Sequence, residues 1–236
     1  AGLGALEAQK LTHILQTQLA AALHERASCA DAAERLLVDV AHPQVGLQDA
    51  LGGLLAAEGG PMCLSLRASK LASISDKGKA TVLPDKLIDL WLQSLAAAAM
   101  GQPLRCVVVG RNAVLRLPAP EPGQARAQLL VLLDTWAEGM RWPLPLPPGL
   151  ALQWLKDKDN RNALTDAYEG SGFKRAERDQ DPALARTYPA LDDVLCTGAF
   201  ERLAQAVYEP LKAWAAQAEV EPLPDTAPDS DEEEAA

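Results

Sequence analysis

A mixed α/β fold, with helices packed on a central sheet, is the class this sequence predicts. Three observations carry it. A helical period near the N-terminus gives way to short apolar runs separated by glycine-rich turns. One apolar helix, stopped by Gly101 and Pro103, then separates those runs from the β-branched strand 104–109. Beyond Pro118 the patterns are helical only. Helix, strands, helix, strand and a closing helical region together read as α+β.

The elements follow in order. Leu6 to Ala27 reads as a helix whose apolar face is Leu11, Ile14, Leu15, Leu19 and Leu23, spaced by three and four. Ala32 to Leu37 continues it or leads into a strand near 36–40. Val45–Ala57 and Met62–Arg67 are extended runs joined by Glu58-Gly59-Gly60-Pro61, a turn signal that predicts a hairpin. A polar loop spans 73–79, and Pro84-Asp85 opens a helix that runs to Met100. Leu104–Val109 and Ala113–Leu117 are strands joined through Gly110-Arg111-Asn112. Helices are expected over 123–139, 150–156, 162–168 and 192–217. The prolines at 143, 145, 147 and 148 make a stiff extended crossing. We therefore divide the chain into an α/β core at 1–118, a helical region packed on it at 119–217, and a disordered acidic tail at 218–236.

Charge supports that division. The net charge is −10, but residues 218–236 hold eight acids and no base. The remaining 24 acids against 22 bases leave the body near neutral, so composition neither announces nor excludes nucleic acid. Cys29, Cys63, Cys106 and Cys196 form no metal-binding pair and read as small buried apolar residues of a reducing cytoplasm. No apolar run is long enough to span a membrane. The start without Met suggests a piece of a longer chain.

Several segments in the second half share an order that no general rule requires. Leu90-Trp91-Leu92 opens the series, and the 107–117 hairpin leads to Pro118. Glu138-Gly139-Met140, the Pro-Leu crossing, Tyr168-Glu169-Gly170 and Tyr208-Glu209-Pro210-Leu211 follow. In this order they resemble the C-terminal region of the bacterial RecC (gamma) subunit of exodeoxyribonuclease V, the RecBCD helicase–nuclease. The resemblance implies a PD-(D/E)xK nuclease-like core that has lost its catalytic residues, in keeping with the helix–three strands–helix–strand order. It implies a cytoplasmic, non-motor scaffold for recombinational DNA repair. RecB- and RecD-type subunits and DNA are its implied partners. No cofactor is implied in this domain, since Mg and ATP serve the partner subunits. The family's strand-splitting pin matches no residue here.

The residues can be tested for the lost chemistry. An active site of that class needs an acid on one strand and acid-x-Lys on the next, holding Mg²⁺ through hard oxygens. The pattern fits Gly53-Leu54-Leu55-Ala56, then Leu66-Arg67-Ala68, with Ala56, Leu66 and Ala68 where the three groups would stand. A rival nuclease with a migrated site would recruit Asp49, Glu58 and Lys70. A second rival is a protein-interaction module without DNA contact.

Arg67, Lys70, Lys77 and Lys79 either contact phosphate or form a solvated loop beside Asp76. Arg141 and Trp142, in the crossing, have the chemistry of an interface anchor. Tyr168 and Glu169 end a helix and mark either an ordinary cap or a subunit contact. Trp91, Trp136, Trp154 and Trp214 read as core residues.

Overall fold

The computed structural model describes residues 2–75, 77–172 and 175–224. The chain divides into two compact units. One holds the residues up to Ala41, Gly46–Leu129 and the segment from Trp214; the other holds His42–Val45 and Leu130–Ala213.

The first unit opens on α1 (Gly2–Ala27), followed by β1 (Cys29–Ala32). β2 (Leu36–Ala41) and β3 (Gly46–Leu51) make a two-stranded antiparallel ladder of their own, paired from Leu36↔Leu51 to Ala41↔Gly46. Leu36, Val38 and Val40 point inward while Leu37 and Asp39 point out, the period of a half-buried strand. β4 (Leu55–Ala57) and β5 (Gly60–Leu66) return to the main sheet. The short hairpin β6 (Ala72–Ile74) and β7 (Ala80–Val82) precedes a 3-10 turn and α2 (Ile88–Ala99). β8 (Arg105–Val109), β9 (Ala113–Leu117) and the start of α3 (Pro122–Gly139) follow, and β10 (Glu219–Pro222) joins from the C-terminal side. The six-stranded sheet runs β1-β4-β5-β8-β9-β10, with β5 and β8 parallel and the other pairs antiparallel.

Strand alternation sends neighbouring residues to opposite faces of this sheet. Met62, Val107, Val109 and Val114 pack against Ala22 of α1. Cys63 turns to the other face, where its thiol donates to Gln93 of α2 (4.0 Å), and Ser94 Oγ donates to the Leu104 carbonyl (3.2 Å). Thus α1 and α2 cover opposite faces. Asn112, buried in the β8–β9 turn, donates to the Ala72 carbonyl (2.6 Å) and accepts from the Leu71 amide (3.0 Å). That side chain fixes the β6 hairpin to the sheet.

The second unit is helical: α4 (Pro148–Lys156), α5 (Arg161–Tyr168), α6 (Pro182–Thr187), α7 (Leu191–Leu195) and most of α8 (Phe200–Ala215). Its core includes Leu150, Leu164, Tyr168, Leu191, Phe200, Leu203 and Leu211, with Trp154 edge-on to Phe200 at 6.0 Å. Asn160 caps α5 by accepting from the Ala163 amide (3.1 Å), and Asp181 caps α6 by accepting from the Ala183 amide (2.8 Å).

Four sequence expectations need correction. The expected apolar face of α1 is not the buried one: Ile14, Gln18, Ala22 and Glu25 face the sheet, while Leu11, Leu15, Leu19 and Leu23 are exposed. Polar partners explain the choice, since Gln18 Nε2 donates to the Arg67 carbonyl (2.8 Å) and Glu25 takes Arg116. The run 45–57 is two strands, because the chain turns at Gly52-Gly53 with Gly53 at φ +69°. The helix 192–217 breaks into α7 and α8 at Gly198 (φ +65°). The tail begins later than residue 218, because Glu219–Pro222 pair with Ala113–Arg116 and Arg116 bonds Glu221 (2.7 Å). Residues 225–236 of the tail lie outside the described residues. Among the described residues, no helix is long and apolar enough to cross a membrane.

Candidate functional site

The ends of β4 and β5 are where the sequence pattern put the vanished acids. The ladder pairs Ala56 with Pro61 and Leu55 with Met62. Leu66 lies five residues beyond Pro61, about 16 Å along an extended strand. The register therefore separates Ala56 from Leu66, and the motif as matched does not converge on one point. No carboxylate stands in 52–57 or 64–68. Magnesium, which needs oxygen ligands, does not fit these side chains.

The migrated alternative fails on geometry. Asp49 belongs to the separate β2–β3 ladder, opposite Val38, and accepts from its neighbour, the Ala50 amide (2.7 Å). Glu58 sits in the exposed β4–β5 turn, its carbonyl accepting from Arg105 (2.5 Å). Lys70 lies past the other end of β5, so the length of that strand separates it from Glu58. Among the described residues, no group of three His, Cys, Asp or Glu side chains could hold a metal ion.

The basic residues fall into two settings. Arg67 follows β5, its amide donates to the Val109 carbonyl (2.9 Å), and its guanidinium pairs with Asp89 of α2. That pairing offsets the charge an anion would meet. Lys70 is half-buried at the approach to β6. Lys77 and Lys79 stand exposed in the β6–β7 loop, where the Lys79 amide donates to Ser75 Oγ (3.1 Å) and the Ser75 amide to the Lys79 carbonyl (3.0 Å). This is a shaped loop that presents two cations to solvent. Asp76, just before Lys77, lies outside the described residues.

In the helical unit, Arg141 and Trp142 follow α3 and are exposed, Trp142 by 71%. Trp136 on α3 and Met140 just past its end are exposed as well, so Trp136 is not the core residue its helical spacing suggests. Three large apolar side chains within seven residues make this a patch of the kind that marks docking surfaces. Tyr168 and Glu169 belong to the interior instead. Tyr168 is fully buried, its hydroxyl donates to the Tyr188 carbonyl (2.5 Å), and burial pushes its phenol up to about 12. Glu169 accepts from the Leu191 amide (2.7 Å) at the start of α7. Both hold helices together, so Tyr168 is not an exposed subunit contact.

A family model, the RecC C-terminal domain, matches residues 1–159 of the 236. The chain belongs to the RecC C-terminal domain family. No curated protein matches it. Membership places the chain with RecC-type subunits of a DNA-repair complex, exonuclease V. The match takes in the sheet apart from β10, both lysines of the β6–β7 loop, and Arg141 and Trp142. It stops before Tyr168-Glu169-Gly170 and Tyr208-Glu209-Pro210-Leu211.

Sequence reasoning missed Asp89 as the partner of Arg67 and the exposure of Trp136 and Met140. A carboxylate 22 residues from its partner carries no local signal, and a tryptophan at helical spacing reads as core whichever way its face turns.

Proposed function

We propose that this RecC-family chain is a catalytically inactive, nuclease-like scaffolding domain that docks a partner motor subunit and lines a DNA path in a DNA-end-processing helicase–nuclease. One observation carries the reading: the antiparallel β1-β4-β5 run continues in parallel into β8, and α1 and α2 cover opposite faces. That order supports a PD-(D/E)xK-like core, and the absence of any carboxylate at 52–57 and 64–68 supports its being inactive. Cleavage and ATP hydrolysis then belong to RecB- and RecD-type partners, with Mg²⁺ and ATP bound there. The DNA-facing cations are Lys77 and Lys79, supported by Lys70 and Arg67, which position phosphates without reading bases. The partner face is Trp136, Met140, Arg141 and Trp142, a combination of large apolar side chains and arginine enriched at interfaces.

Titration of the purified chain with its RecD-type partner, alongside a Mg²⁺-dependent assay on linear duplex DNA, tests this. Partner binding without cleavage is the expected outcome. Cleavage abolished by Asp49→Ala or Glu58→Ala would restore the enzyme reading.

A further inference from the structure

We propose that Cys63 and Cys106 form a peroxide-responsive dithiol that closes to a disulfide across the parallel β5–β8 pair. The two residues are direct partners in the ladder and so lie on the same face of the sheet, the one covered by α2. Adjacent strands lie about 4.8 Å apart, inside the roughly 4.4–6.8 Å Cα separation that a disulfide spans.

The pair is asymmetric, which assigns the roles. Cys63 is half-buried and Cys106 fully buried. The Cys106 thiol beside it lowers the Cys63 thiol, and Arg67 adds to this against burial and Asp89. The neighbouring Cys63 and burial push Cys106 up. Cys63 is thus the thiol that gives up its proton more readily and that a small oxidant reaches, and Cys106 the resolving thiol. The thiolate sulfur attacks one peroxide oxygen, the O–O bond breaks, and Cys63 becomes a sulfenic acid as hydroxide leaves and takes the proton that Cys63 released. The Cys106 sulfur then attacks the Cys63 sulfur, the S–O bond breaks, and a second water leaves with the Cys106 proton. Two thiols and one hydrogen peroxide give one disulfide and two waters. The Cys29 thiol donates to the Glu25 carbonyl and the Cys196 thiol to the Asp193 carbonyl, and these two cysteines serve as internal controls.

The whole native chain is treated with hydrogen peroxide, its remaining thiols are alkylated, and it is cut with trypsin. Peptide 36–67 joined to 106–111, lighter than their sum by two hydrogens, is the expected product. It persists in the Cys29→Ser/Cys196→Ser double variant and is absent in Cys63→Ser. Oxygen added to Cys63 without that link, a link to Cys29 or Cys196 instead, or a link formed only in denaturant would each overturn the proposal.

Discussion

Tyr168 carries much of what a single residue does in the helical unit. Its buried hydroxyl reaches the Tyr188 carbonyl, and Tyr188 in turn donates to the Pro143 carbonyl (2.7 Å), so two tyrosines tie α5 to the proline crossing. Tyr168→Phe removes one buried hydrogen bond and leaves a carbonyl without its donor. It should cost about 1–3 kcal/mol in thermal or urea unfolding. Burial also lifts the Tyr168 and Tyr208 phenols to about 12 from the ordinary 10. The unfolded chain releases those protons first, so stability is full below pH 10 and falls as pH rises from 10 to 12. Alkaline unfolding monitored by circular dichroism should show this loss, and Tyr168→Phe should flatten it. Gly110 matters by what it lacks: an added Cβ would stand 2.3 Å from Leu71 Cγ. Gly110→Ala should cost about 1–3 kcal/mol through overpacking.

The helix α1 separates packing from pattern. Its leucines are the residues an amphipathic reading chooses, yet Leu15 is 62% exposed and Ile14 only 6%. Ile14→Ala should therefore destabilise the chain by about 2–5 kcal/mol. Leu15→Gln should change stability by less than about 0.5 kcal/mol in the same unfolding experiment, since the side chain is already in water. The β6–β7 loop acts as an element as well. Lys77→Glu with Lys79→Glu should weaken binding to linear DNA uniformly across sequences and flatten its salt dependence, while leaving the unfolding midpoint in place. If binding kept its full salt slope, this loop would not be the DNA-facing element.

Across the first unit, the distant ends of the chain meet at one arginine. Arg116 of β9 holds Glu25 of α1 (2.5 Å) and Glu221 of β10 (2.7 Å), with Glu219 at 3.8 Å. β10 also covers the edge of β9, whose unpaired amides and carbonyls would otherwise offer a template for another chain. A chain ended after Ala218 should unfold at lower temperature and aggregate, whereas one ended after Pro224 should match the full chain in both. Equal behaviour of the two truncations would show that β10 contributes nothing to the sheet.

Much of this molecule was legible without coordinates. The strands 104–109 and 113–117, the helix ending at Gly101 and the absence of acids at 52–57 and 64–68 follow from local chemistry: β-branched runs, a glycine stop, residue identity. The order of motifs was enough to reach the RecC family. Register was not legible, because a ladder is set by pairing and not by local pattern; only the pairing of Ala56 with Pro61 shows that Ala56 and Leu66 are apart. Nor was the buried side of α1, the interior place of Tyr168, or the meeting of Cys63 with Cys106. Each depends on a partner tens of residues away along the chain. Periodicity tells that a helix has two faces, and the tertiary structure decides which one is covered, because burial is a property of the neighbour as much as of the residue.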